Sequence, residues 1–369
     1  MSINIASFNI QNFSGSWIKV KNDAVPKDLE GIAQIIIQNN FHVIALQEII
    51  DRWAIYELLL YLDYGRTIKT IDMNATIGRD YGCESYYLYE TKYWRAVWAK
   101  PISRYGNNVS EGYAFLWDTR KIDLINNKDG SESTPFFPKN MDKKYSELVR
   151  PPFISRFKPR RGQYEIRLIN THIAYKRPVI LLSDEEDNSG LTNEDYKLRK
   201  KEFAILTDLL ANISQKNYIQ NIIKEADVSF VPYTFLLGDY NLNLPGKGKD
   251  HKAELDEDEI RIKKGNIEII TVNEDLTTMS PKPKDPEEKK KWQADVIPDH
   301  HMSNNYDHFS FDQNRLLKHN ITPPIARRTE SQFYMYTDSA DDTKFDAYKK
   351  LISDHVPIFI NFDVRNRLL

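Results

Sequence analysis

A single cysteine, Cys83, stands among 369 residues. It excludes an internal disulfide and a metal–thiolate cluster, and it fits a reducing compartment. The chain also lacks a surplus of either charge. The formal net charge is −2, so no global field draws the molecule onto DNA or a membrane, and affinity for a polyanion has to come from a local patch. No stretch approaches the roughly 20 apolar residues that span a bilayer. The first residues, MSINIASFNIQNF, carry neither a charged leader nor a long apolar run, so they read as a strand of the fold rather than a signal peptide. The expectation is a soluble, cytoplasmic protein, with export by a leaderless route left open. Three hydrolase signatures are missing: G-x-S-x-G, H-E-x-x-H and G-x-x-x-x-G-K-[ST]. Eight histidines and no spare cysteine disfavour zinc.

What is present is an alternation of short apolar runs and amphipathic stretches. Ile3–Phe8 and Val43–Leu46 read as buried strands, as do Tyr113–Trp117, Tyr164–Thr171, Thr234–Leu237, Tyr306–Phe311 and Val356–Phe362. Leu29, Ile32, Ala33, Ile36 and Ile37 recur at helical spacing and predict a helix over about 27–39. Leu206, Leu209, Leu210 and Ile213 predict another, with Thr192 and Asp195 as its capping box. Strands alternating with helices indicate an α/β fold in which strand ends build the site. Charged stretches near 183–195, 246–264, 281–291 and 339–350 read as solvated loops or insertions. Candidate site residues run from Asn9 to His355, so the expected organisation is one domain over 1–369, with charged insertions near 183–195, 246–300 and 325–350.

Polar residues end the apolar runs: Asn9, Glu48, Glu111, His172, Asp239 with Asn241, Asp307, and Asp354 with His355. Singly, each is an ordinary turn or strand-end residue. Together they suit one chemistry. Magnesium takes hard oxygen ligands, commonly one or two carboxylates with waters and substrate phosphate. Phosphodiester cleavage needs charge stabilisation on the phosphoryl group and an activated water. Proton transfer near neutral pH is the work of histidine, and a neighbouring carboxylate favours its charged form.

Five segments resemble the deoxyribonuclease I-like (endonuclease/exonuclease/phosphatase) superfamily, in its order: SFNIQNF at 7–13, ALQEI at 45–49, THIAYK at 171–176, LLGDYNLN at 236–243 and ISDHVPIFI at 352–360. EGYAFLWD at 111–118 and NYDHFSFD at 305–312 resemble its deoxyribonuclease I branch. The resemblance implies a four-layer α/β sandwich, with two facing mixed β-sheets flanked by helices. It implies a Mg2+ site, with Mn2+ or Ca2+ able to substitute or assist, held by Glu48, Asp354, Asn9 and Asp239. It implies that His355 with Asp307, and His172 with Glu111, flank the scissile phosphate and share acid and base duties. Asp239 and Asn241 would hold the attacking water or the phosphate, and Arg150 and Asn9 would contact phosphate. Two features depart from the branch: His308 stands where it has an arginine, and its structural disulfide cannot form.

The superfamily spans nucleases and lipid phosphatases, so fold does not settle substrate. Segment 139–177 holds eleven basic and three acidic residues, and it leads into His172. A basic wall there would suit a polyanion backbone. Trp94, Trp98, Tyr105, Tyr145 and Tyr175 are candidates to stack on bases, or else packing residues. The reading is a Mg2+-dependent nuclease acting on nucleic acid, DNA foremost. The alternative is a phosphoinositide or other small phosphoester hydrolase. Strand preference, internal or terminal cleavage and oligomeric state stay open.

Overall fold

The structure, a computed structural model, describes residues 2–15, 26–65, 75–80, 83–101, 111–125, 137–138, 143–176, 192–215, 231–245, 254–329, 331–338 and 342–364. Two large mixed sheets face each other. The first has the order β16 (Arg327–Arg328), β17 (Ile358–Asp363), β1 (Ser2–Phe13), β2 (Val43–Ile49), β6 (Gly112–Asp118), β5 (Trp94–Ala99), β4 (Cys83–Glu90) and β3 (Ala75–Asp80). The second runs β11 (Arg261–Lys264), β12 (Ile267–Val272), β15 (Asp307–Asp312), β10 (Val231–Asp239), β9 (Tyr164–His172), β8 (Phe153–Pro159) and β7 (Ile122–Leu124). β1 with β2, and β9 with β10, are parallel pairs.

The apolar pattern explains the layering. In β2, Val43 and Ala45 face the second sheet, while Ile44 and Leu46 face helices α1 (Leu29–Gln38) and α2 (Arg52–Tyr64). In β10, Phe235 and Leu237 enter the space between the sheets, and Leu236 packs under α3 (Asn193–Gln215). A strand buried on both faces reads as an uninterrupted apolar run, and its period of two sorts the side chains into two cores. Three apolar clusters therefore separate four layers, giving the α/β sandwich that the resemblance implied. Each fully buried Leu or Ile contributes roughly 1.5–3 kcal/mol.

The N-terminus of α1 is capped by Asp28, whose carboxylate accepts from the Gly31 N–H. The box at α3 forms between Thr192 and Asp195. Three of the charged stretches carry regular structure rather than loop throughout. Asp256 and Glu259 box α4 (Glu257–Ile260), Asp285 caps α5 (Pro286–Ala294), and Thr343 and Asp346 box α7 (Lys344–Leu351). Capping residues satisfy the free N–H groups of the first turn, which lets short polar segments stay helical. Residues 183–191, 246–253 and 339–341 lie outside the described residues. Among the described residues no helix is long and apolar enough to cross a membrane.

Strand register lines up the site. Asp239 pairs with His172 on β9 and with Asp307 on β15, so one row across the second sheet carries all three. On the first sheet Asn9 pairs with Gln47, and Glu48 follows at a break in the register. β17 pairs with Ser2–Ser7 of β1, and Ser353 Oγ donates to the Asn9 carbonyl at 2.8 Å, which brings the 353–355 turn to that rim. Gly238, one residue before the row, has φ +142°, and a Cβ there would lie 1.9 Å from the Thr171 carbonyl oxygen. Only glycine permits this approach. Gly238→Ala is expected to cost about 3 kcal/mol or more, or to abolish folding. Thermal denaturation checks this, and an unchanged melting temperature would contradict it.

Candidate active site

Asp239 is the hub. Its Oδ2 accepts a hydrogen bond from Asn9 Nδ2 at 3.0 Å, and it lies 3.6 Å from His172 Nε2 and 3.5 Å from His355 Nε2. The same Asn9 amide donates to Glu48 Oε1 at 2.9 Å, joining a residue of the first sheet to one of the second. Asp239 Oδ1 accepts from the Asn241 N–H at 2.8 Å. Burial pushes the Asp239 carboxyl up to about 6, and the two imidazoles act against that rise.

Each histidine is backed by a carboxylate. His355 Nδ1 lies 2.8 Å from Asp307 Oδ2, and both residues are buried. Burial alone would lower the His355 pKa, but Asp307, Asp239 and Asp354 together hold it well above the ordinary value. Burial likewise presses on Asp307, and His355 pulls it below the usual carboxylate range. The charged pair is therefore the state the fold favours. His172 Nδ1 lies 3.2 Å from Glu111 Oε2. Burial would raise the Glu111 carboxyl, but His172 and Arg150 bring it down to about 2. Arg150 reaches Glu111 at 3.3 Å.

The backbone is bent at the same places. Glu48, Asn241 and Asn12 have φ of 58°, 51° and 52° respectively, in the left-handed region. Glutamate rarely sits there, and such conformations gather where surrounding structure imposes them. The break after Asn9 turns the Glu48 carboxylate toward Asn9 and His172, whose Nε2 lies 3.8 Å away. Below the site a buried polar link ties the sheets together. Gln47 Nε2 donates to Asn170 Oδ1 at 2.6 Å, and Asn170 Nδ2 donates to the Leu46 carbonyl at 2.9 Å.

Oxygen and nitrogen atoms of Glu48, His172 and Asp239 all lie within 4.8 Å of one another, a grouping that can hold a metal ion. Asn9 Oδ1 and Asp354 Oδ1 are buried without a hydrogen-bond partner. Hard oxygens at this density fit a divalent cation such as Mg2+.

The model of the endonuclease/exonuclease/phosphatase family matches residues 6–281. The chain belongs to this family. Among solved structures, the chain resembles an endonuclease/exonuclease/phosphatase family protein from Bacteroides thetaiotaomicron at 15% identity and TM-score 0.46, covering 99% of each chain. It resembles a mannosyl-6-phosphatase from the same organism at 15% identity and TM-score 0.45, over 98% of this chain and 100% of that one. It also resembles D. rerio TDP2 complexed with single strand DNA product at 12% identity and TM-score 0.44, over 98% and 99%. No curated protein matches the sequence.

Every residue singled out for the site lies in this cluster or on its border. Asn9, Glu48, His172, Asp239, Asn241, Asp307 and His355 are joined by the contacts above, with Glu111 and Arg150 behind His172. Asp354 stands beside them. Its field, with that of Glu48, acts on Lys27, whose pKa burial lowers and the two carboxylates raise. Asn241 is less free than its assigned role requires, because its Nδ2 donates to the Ile173 carbonyl at 2.8 Å.

The basic wall is not built as the sequence suggested. Glu165 pairs with both Arg156 and Arg167 inside the fold, at 2.6 and 2.7 Å, and both arginines are buried. Arg160 and Arg161 occupy the turn before β9, and the nine residues Tyr164–His172 place that turn roughly 27 Å from the site. Strand polarity carries charges that are near in sequence to the opposite end of the sheet. Trp94, Trp98 and Tyr145 are buried packing residues, so they cannot stack on a base. Tyr105 and Arg177 lie outside the described residues. His308 is also structural: its Nε2 contacts the Leu242 carbonyl at 2.7 Å, and burial lowers its pKa to about 4.

Sequence reasoning missed Gln47, Asn170, Lys27 and Glu202. Glu202, on α3, accepts from the Val149 and Ala174 N–H groups, holding the loops that carry Arg150 and follow His172. Its signal was available: Arg199 and Glu202 fall on the same helical stripe as Leu206, Leu209 and Ile213.

His172→Ala and His355→Ala are each expected to lower phosphoester hydrolysis about 10²–10⁴-fold, the usual contribution of proton transfer. Circular dichroism should show an intact fold in both. Near-normal turnover in either variant would remove that residue from the chemistry.

Proposed function

We propose that the protein is a Mg2+-dependent phosphodiesterase that hydrolyses nucleic acid, DNA foremost. The observation that carries this reading is the convergence of two carboxylate-backed histidines on one buried carboxylate oxygen, Asp239 Oδ2, beside Glu48. Glu48 and Asp239 would hold the cation, with Asn9 and Asp354 bordering it. Bound there, a dication neutralises charge developing on the phosphoryl oxygens.

The protein's own groups account for the proton inventory. Asp239, beside both imidazoles, is placed to accept a proton from the attacking water. Asn241 fixes that carboxylate through its backbone N–H. The oxygen–phosphorus bond opposite the water breaks, and the imidazoles supply the proton that the leaving oxygen takes up. Asp307 keeps His355 charged for this purpose, and Glu111 aims His172. Arg150 stands behind Glu111, where its guanidinium can meet an adjoining phosphate.

One observation favours a second reading. Arg156 and Arg167 are buried against Glu165, so among the described residues they offer no surface to a long polyanion. A small phosphoester, a phosphoinositide among them, needs only the local cluster.

Supercoiled plasmid with Mg2+ separates the two. Nicking that stops when a chelator is added is the expected result. Intact plasmid together with inorganic phosphate released from a phosphoinositide or sugar phosphate would replace the nuclease reading with the second.

A further inference from the structure

The loop after His172 carries a ring that the chemistry above does not use. Ile173 and Ala174 are buried, and their N–H groups donate to the Asp239 carbonyl at 2.9 Å and to Glu202 Oε2 at 3.3 Å. The next residue, Tyr175, is 40% exposed. Its backbone follows a pinned turn, three residues after His172. It is propped from two sides. The Tyr306 ring, one residue before Asp307, lies 6.3 Å away at 56°. The Arg199 guanidinium lies 5.1 Å from its centroid, and Arg199 is itself buried and fixed by the Asn241 carbonyl and by Glu254. Tyr306 immediately precedes β15, and Arg199 comes from α3 and is tied to the Asp239–Asn241 turn through the Asn241 carbonyl. A large ring held in place and partly exposed offers apolar surface that a flat ligand can bury.

We propose that Tyr175 is a stacking platform for the nucleobase next to the scissile phosphate. It is then a specificity-determining residue that favours nucleotides over phosphoesters without a base. The inference rests on the nuclease reading and sharpens it. Every base has a flat π-face, so one tyrosine grips a strand without reading its sequence.

The test uses the full chain with Mg2+ and two short single-stranded DNAs of equal length. One has normal bases, and the other has base-free tetrahydrofuran units on both sides of a single cleavable phosphodiester. Tyr175→Ala is expected to raise KM for the normal strand about 10–100-fold, the range for losing one aromatic–base stack. KM for the base-free strand should hardly move. Tyr175→Phe and Tyr175→Trp should restore the normal KM. Tyr175→Leu, which keeps apolar packing against Tyr306, should behave as the alanine variant and guards against misfolding. An equal change on both strands, or none on either, overturns the platform and leaves the nuclease reading standing. A wild-type enzyme that cleaves neither strand yet dephosphorylates a sugar phosphate overturns both.

Discussion

One amide holds the site together. Asn9 donates from the first sheet to Glu48 beside it and to Asp239 on the opposite sheet, at 2.9 and 3.0 Å. Two carboxylates from separate layers thus meet on a single side chain, in a setting where burial makes like charges costly. The approach is tolerable because His355, which Asp307 and its neighbouring carboxylates keep charged, stands beside Asp239, and Lys27 lies within the field of Glu48 and Asp354. A dication among Glu48, His172 and Asp239 would offset the rest. Sheet packing therefore determines the chemistry directly. Any slip of one sheet over the other separates Glu48 from Asp239.

The apolar core secures that packing, and a polar link sets its register. Gln47 and Asn170 are buried neighbours of Glu48 and His172 in the chain, and they bond across the gap between the sheets. Buried polar partners tolerate little displacement, because a broken pair leaves unsatisfied groups. The link sits one residue from Glu48 on the first sheet and two residues from His172 on the second. Glu202 extends the same logic to the loops, tying the segments next to Arg150 and His172 to α3. Both histidines consequently reach a common oxygen, Asp239 Oδ2. Their backing carboxylates come from β15 and from the residue just before β6.

Much of this was legible in the sequence. Uninterrupted apolar runs such as Val43–Leu46 mark doubly buried strands, and the polar residue ending each run marks the rim. The Leu29–Ile37 spacing and the Thr192–Asp195 box located two helices within a few residues. Other features were not legible, for physical reasons. Strand direction, which sends Arg160 and Arg161 to the far end of β9, depends on pairing and not on local composition. Whether Arg156 and Arg167 face substrate or the interior depends on Glu165, whose partners appear only once β8 and β9 are paired. Trp94, Trp98 and Tyr145 are ordinary rings in sequence, and only burial distinguishes them from Tyr175. Lys27 gives no local sign at all, since it is placed by the hydrogen bond from the Asp28 N–H to the Leu351 carbonyl, a contact between distant segments.

The central claim is that Glu48 and Asp239, held by Asn9, share one divalent cation. Calorimetric titration of Mn2+ into the wild-type protein and into Glu48→Gln and Asp239→Asn tests it most directly. The account expects one strongly bound ion per chain, with affinity at least about tenfold weaker in each variant, as loss of a charged ligand implies. Mn2+ binding of equal strength in all three proteins would contradict it.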